Sequence, residues 1–299
     1  MHNTNFYIDY IDNDEQKIKF DKNFDYINYE KDIITEKMKN EANWILKLDE
    51  AYLINGLIRK YKPKNILELG VAMGGSSTLI LNAIKDYPGS SLISMDLRKN
   101  WLNGKKIGYI VEEKFPELMN KWQLFTGEMP NTFLQKLNLT FDFFFLDTAH
   151  VTPGEYFNLI EALPFLKENC IVLLHDIIWH LSKGLYTDRK IYKNRIIPTQ
   201  INLMSVLVGE KILLNKFEYN FINVGVICLD KNQEKYYLNY FLLMMNFWQY
   251  IPTDKQLSNL REFIIKYYGD KQLLRIYDNS IDCNKKIFKK WDKITKKEL

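Results

Sequence analysis

The sequence predicts a doubly wound α/β fold, and two observations predict it. Between Ile66 and Leu174, short apolar runs without polar alternation take turns with segments of helical spacing. Strands that are apolar throughout and separated by helices belong to a parallel sheet covered on both faces. At 299 residues, with 46% hydrophobic and 14% aromatic side chains, the chain is long enough for one substantial core with extensions. The organisation expected is an extension over 1–42, the α/β domain over 43–230 and a helical region over 231–299.

The elements follow in order. Residues 1–42 carry many Asp, Asn, Glu and Tyr with little periodicity and are expected to be irregular. Trp44, Ile45, Leu48, Tyr52, Ile54, Leu57 and Ile58 have helical spacing, and Lys62-Pro63-Lys64 ends that helix before the first strand. Ile66–Leu69 is a strand, Thr78–Ile84 a helix and Ser91–Met95 a strand ending in Asp96. A helix through Ile107–Leu118, a strand Trp122–Thr126, a helix after Pro130 and a strand Phe141–Asp147 come next. Pro153–Leu166 reads as a helix, Cys170–Leu174 as a strand and Thr199–Val208 as a helix. From Lys231 onward the chain is helical and rich in Tyr, Phe, Met and Lys.

The turn after the first strand, Gly70-Val71-Ala72-Met73-Gly74-Gly75-Ser76-Ser77, has the residue types of a nucleoside-cofactor site. A glycine-rich strand-to-helix turn lets the backbone approach a ligand and points helical N–H groups at it. Asp96 lies 22 residues beyond Gly74 at the next strand end, where an acid can accept both ribose hydroxyl protons. The candidate cofactor contacts are Glu68, Gly70, Met73, Gly74, Ser76 and Asp96. The spacing is G-x-x-x-G-G rather than the G-x-G-x-x-G usual for dinucleotides.

A second constellation gathers at two later strand ends: Asp147-Thr148-Ala149-His150 and His175-Asp176. Ligand chemistry in open α/β sheets collects at the carboxyl ends of strands. Asp147 and Asp176 can hold a hard cation such as Mg2+, which takes one or two protein carboxylates and leaves positions for substrate oxygens. Alternatively His150 or His175 acts as general base, since an unperturbed imidazole titrates at about 6.5. His180 and His2 are read as structural or without context.

The glycine turn with Glu68 before it resembles motif I of class I S-adenosylmethionine-dependent methyltransferases, a Rossmann-like family. Phe141–His150, Leu163-Pro164-Phe165-Leu166-Lys167 and Ile171–Asp176 resemble the branch related to catechol and macrolide-sugar O-methyltransferases. The resemblance spans about Trp44 to Asp230. It implies S-adenosylmethionine as cofactor, with Glu68 near its methionine part, Asp96 on the ribose, Glu128 near the adenine and Asp147 beside the site. It also implies Asp147 and Asp176 as metal positions, His150 as base, and a strand pair Lys216–Ile222 and Val224–Leu229 closing the sheet with an antiparallel edge. His175 stands where some relatives carry a second acid, and the glycine pair usual before the fifth strand is replaced by Lys167-Glu168-Asn169-Cys170.

The function expected is O-methylation of a small polar hydroxyl acceptor, a sugar of a glycan or glycosylated metabolite first, with Mg2+ as a candidate assistant. The alternatives are an NAD- or nucleotide-sugar-binding enzyme and a non-catalytic cofactor-binding interaction protein. Net charge is +4, all of it carried by residues 281–299, so a globally basic nucleic-acid binder is not indicated. Cys170, Cys228 and Cys283 are widely spaced and fit reduced residues. With no leader-like start and an apolar stretch Tyr240–Trp248 too short to span a bilayer, a cytoplasmic protein is expected. Lys183, Arg189, Lys190, Lys193 and Arg195 with Tyr186 and Tyr192 offer a substrate lid or a solvated loop. The aromatic terminal helices form either a homodimer interface or part of the monomer's own core.

Overall fold

The computed structural model describes residues 18–19, 36–42, 46, 48–177, 199–213 and 223–295. The apolar runs are strands: β1 (Ile18–Lys19), β2 (Asn65–Leu69), β3 (Ser91–Asp96), β4 (Trp122–Thr126), β5 (Phe141–Leu146), β6 (Leu166–His175), β7 (Gly209–Leu213) and β8 (Val224–Leu229). They form one sheet in the order β1-β7-β8-β6-β5-β2-β3-β4. Strands β4, β3, β2, β5 and β6 are parallel, with Leu67 paired to Ile93 on one side and to Phe144 on the other. Strand β8 runs antiparallel to both β6 and β7.

The antiparallel element expected toward the sheet edge is thus present as β8, with β7 and the two-residue β1 outside it. Its hairpin partner is Gly209–Leu213, which includes residues after the helix ends; the strand read at Lys216–Ile222 lies outside the described residues. So do the loop cations and tyrosines between Lys183 and Arg195, as well as His180 and His2.

Alternate side chains of each strand enter opposite layers, as the two-residue period requires. Leu67, Leu69, Phe144, Leu146, Val172 and Leu174 face one cluster; Ile66, Phe143, Phe145, Ile171 and Leu173 face the other. The second layer is built by α1 (Glu36–Glu41), α2 (Leu48–Tyr61), α3 (Gly75–Ile84) and α4 (Tyr109–Lys114). The first is built by α5 (Pro130–Leu137), α6 (Gly154–Ala162), α7 (Thr199–Val206), α8 (Tyr237–Leu242), α9 (Asp254–Tyr267) and α10 (Lys271–Thr295).

Two helices are shorter than their spacing suggests, both because of proline. The expected helix Ile107–Leu118 is α4 followed by a 3-10 turn that starts at Pro116. The helix expected to reach Leu166 ends at Ala162, where Pro164 imposes another 3-10 turn and Leu166 already opens β6. Proline removes the amide donor that an α-helix interior needs.

The terminal helices complete the protein's own core. Tyr240, Phe241, Trp248, Leu260, Phe263 and Tyr277 are buried in the same cluster as the sheet residues, and the Phe157 ring meets the Trp248 indole edge-on at 5.5 Å. No helix among the described residues is long and apolar enough to cross a membrane.

Candidate functional site

Because β4, β3, β2, β5 and β6 are parallel, their carboxyl ends share one edge of the sheet. The strand order reverses between β2 and β5, and a crevice opens at such a switch point. The glycine turn leaves β2 there, Asp96 ends β3, Asp147 follows β5, and His175 ends β6 with Asp176 behind it.

The glycine turn is fixed from below and from the side. Asp96 Oδ2 accepts the amides of Val71 and Ala72, both at 3.1 Å, and its Oδ1 accepts the Arg98 amide at 2.8 Å. Gly70 adopts φ +91°, and a Cβ there would lie 1.8 Å from the carbonyl oxygen of Asp147. Gly74, at φ +99°, passes over Gly108 and directly precedes α3. Both glycines are therefore required by the protein's own packing, whatever else the turn binds. Met73 packs against the layer of α2 to α4.

Glu68 is fully buried and accepts hydrogen bonds from the hydroxyls of Ser76, Ser77 and Ser94, each at 2.6 Å. Ser94 in turn accepts the Trp122 indole N–H at 2.9 Å. Burial pushes the Glu68 carboxyl up to about 7, against the pull of the three serines. The structure thus shows Glu68 and Ser76 tying the start of α3 to the sheet. Glu128 is exposed in the loop between β4 and α5.

The second constellation converges. His150 Nε2 lies 3.0 Å from Asp176 Oδ2 and 3.6 Å from Asp147 Oδ1, and its Nδ1 lies 3.0 Å from Glu155 Oε1. His175 Nδ1 lies 3.2 Å from Asp147 Oδ1 and 3.6 Å from Asp176 Oδ2; its Nε2 faces Glu50 Oε2 at 3.3 Å. One ligand atom each from Asp147, His175 and Asp176 lies within 4.8 Å of the others. His150 and Asp176 both hold left-handed backbones, φ 52° and 57°, a conformation that His and Asp adopt more readily than most non-glycine residues and that concentrates at functional sites.

The electrostatics follow from that crowding. Burial opposes a charge on His150, yet the Glu155 carboxylate, the hydrogen bonds to Asp176 and Glu155 and the charge of Asp147 hold its imidazolium to about pH 10. Burial likewise opposes a charge on His175, and Asp147, Asp176 and Glu50 hold its proton affinity well above the ordinary histidine value. Burial works against the Asp176 carboxylate too, but His175, His150 and the Asn223 amide hold its carboxyl well below the usual range. Four carboxylates around two imidazoles leave net negative charge. Such a donor set, two carboxylates and an imidazole nitrogen at one point, fits a divalent cation.

Three residues of this site were outside the sequence reading. Glu155, from α6, accepts the His150 amide at 3.0 Å and the Gln200 side-chain amide at 2.7 Å. Asn223 donates to Asp176 Oδ1 at 2.7 Å. Glu50 sits on the buried face of α2, in helical register with Ile54, Leu57 and Ile58; a carboxylate on an apolar stripe was the legible signal.

The loop that carries Asp147 and His150 is pinned to the terminal region. The Thr152 amide donates to Gln249 Oε1 at 2.8 Å, the Gln249 amide donates to the Thr152 carbonyl at 3.0 Å, and the Thr152 hydroxyl donates to the Phe247 carbonyl at 2.6 Å.

Residues 67–177, from β2 to the end of the Asp176 turn, match the family model described as a methyltransferase domain. The matched segment is the one that carries the glycine turn, Asp96, Asp147, His150, His175 and Asp176. Solved structures similar to this chain include the O-methyltransferase from Bacillus cereus in complex with SAH, 14% identical, covering 69% of this chain and 96% of that one, with a TM-score of 0.48. Another is an SAH-bound methyltransferase from Podospora anserina, 17% identical, covering 66% and 89%, TM-score 0.47. A third is the O-methyltransferase TomG from Streptomyces achromogenes in complex with SAM, 15% identical, covering 65% and 90%, TM-score 0.45. No curated protein matches the sequence.

Proposed function

We propose that the chain transfers the methyl group of S-adenosylmethionine to a hydroxyl of a small polar acceptor, with a sugar of a glycan or glycosylated metabolite as the first class. The observation that carries the reading is the meeting, on one sheet edge, of the Asp96-held glycine turn with the Asp147, His150, His175 and Asp176 cluster. In this reading the cofactor lies along Gly70, Met73, Gly74, Ser76, Asp96 and Glu128, with the buried Glu68 beneath the turn rather than in contact and Asp147 at the boundary between cofactor and acceptor.

The reaction is an in-line displacement. The acceptor oxygen forms a bond to the methyl carbon as the carbon–sulfur bond breaks, and the sulfur leaves as a neutral thioether. The hydroxyl proton passes to Nε2 of the neutral His150 ring, a form whose share rises as pH climbs toward 10, while Glu155 holds the opposite nitrogen. Orientation of oxygen, carbon and sulfur supplies much of the rate. Asp147 and Asp176 would hold a divalent cation, whose charge lowers the pKa of a nearby hydroxyl and offsets the carboxylates that keep His150 charged.

The test is calorimetric titration with S-adenosylhomocysteine, beside the Asp96→Ala variant. Micromolar binding that is lost in the variant is expected, followed by methyl transfer to sugar hydroxyls. A wild-type protein that binds no S-adenosylhomocysteine overturns the reading.

A further inference from the structure

We infer that His175 is itself a metal ligand, and that the cation it holds with Asp147 and Asp176 is a first-row transition-metal dication rather than Mg2+. The inference deepens the reading above and rests on it for the use of the site, although its test does not.

Three observations carry it. First, His175 Nδ1 is buried, the side chain being 4% exposed, and points between Asp147 Oδ1 and Asp176 Oδ2 without a well-formed hydrogen bond to either. Secondly, its other nitrogen faces a buried carboxylate, Glu50, 5% exposed, at 3.3 Å. An ionised carboxylate can only accept, so in the singly protonated ring the proton sits on Nε2 toward Glu50, and Nδ1 keeps the lone pair that a metal would take in place of the second proton. A carboxylate behind the imidazole of a metal ligand fixes the tautomer and raises its donor strength. Thirdly, the lone pair looks at two carboxylate oxygens. In the singly protonated ring these are three electron-rich atoms within 4.8 Å of one another, which a proton on Nδ1 or a dication can neutralise, the dication with twice the charge.

The donor set then selects the ion. Mg2+ takes oxygen ligands and keeps several waters, whereas imidazole nitrogen with carboxylates suits Mn2+, Fe2+, Co2+ or Zn2+. With an acid at position 175 the site would be all oxygen.

The experiment loads the purified full chain with Mn2+ and follows it by electron paramagnetic resonance, with Mg2+ as competitor. The wild type is expected to take one Mn2+ at micromolar concentration, to show nitrogen coupling to the bound ion, and to keep it against millimolar Mg2+. His175→Asp should retain Mn2+ but lose the nitrogen coupling and give way to Mg2+, its Mn2+ over Mg2+ preference falling by about tenfold or more. Glu50→Gln should weaken Mn2+ by about 10–100-fold. Circular dichroism of each sample reports folding, beside a separate S-adenosylhomocysteine titration: if His175→Asp is misfolded, the wild-type nitrogen coupling and the Glu50→Gln loss decide. The inference is overturned if the wild type takes no Mn2+, if bound Mn2+ shows no nitrogen coupling, or if coupling survives in His175→Asp. Mn2+ without S-adenosylhomocysteine binding would sink the methyltransferase reading alone; the converse would sink this one alone.

Discussion

Gly70 and Asp147 meet backbone to backbone: the methyl group of an alanine at 70 would stand 1.8 Å from the Asp147 carbonyl oxygen. The turn that follows β2 and the turn that follows β5 are therefore one joint. Gly70→Ala must both force a side chain into a φ of +91° and push the Asp147 turn aside, with an expected loss of about 3 kcal/mol or more in chemical denaturation. Any variant protein that folds should bind S-adenosylhomocysteine more weakly and Mn2+ more weakly, because both turns move.

In the proposed reaction His150→Gln removes the proton acceptor while keeping a polar side chain beside Asp176. Methyl transfer should fall by about 10²–10⁴-fold with cofactor affinity unchanged, as measured by turnover beside calorimetry. Glu155→Gln acts through His150 instead. Its charge raises the histidine's pKa, so its removal should move the rising limb of the pH–rate profile to lower pH, a shift that simple loosening of the loop would not produce.

Glu68 makes stability depend on pH. Its carboxyl titrates near 7 in the folded protein against an ordinary value of 4.5. Its folded pKa is raised, so its contribution is fully present below about pH 4.5 and is lost as pH rises through 7; the span corresponds to about 3 kcal/mol. Denaturation measured between pH 5 and 7.5 should fall more steeply in the wild type than in Glu68→Gln. Equal slopes would show that the carboxylate is not held protonated by burial.

Gln249→Ala leaves the buried Thr152 amide without its acceptor. A cost of about 1–3 kcal/mol is expected in denaturant. Because Thr152 stands two residues from His150, turnover should drop by more than the loss of folded protein accounts for.

The strands were legible because Phe141–Leu146 and Cys170–Leu174 are apolar without a break, and a parallel sheet buried on both faces leaves no other pattern. Asp147, His175 and Asp176 were legible for the same reason, since the residues that end such runs fall on one edge. Glu50 and Glu155 were not, although each carries a clue: a carboxylate on an apolar helical stripe, and one placed five residues after a histidine. Their roles depend on which layer each helix joins. The ties from Thr152 to residues 247–249 join parts of the chain nearly a hundred positions apart, and no local pattern encodes them. Nor does the sequence separate the two demands on Gly70, which a ligand and the Asp147 carbonyl make alike.

The pin between Thr152 and Gln249 also sets an order of events during synthesis. The sheet strands from β2 to β6 can pair as soon as residue 175 has left the ribosome, but the loop bearing Asp147 and His150 must wait for Gln249. Trp248 in turn donates its amide to Asn284 Oδ1 at 2.8 Å. A chain that stops short of α10 therefore lacks the Asn284 end of this brace, although every strand that carries the Asp147 and His175 turns is present.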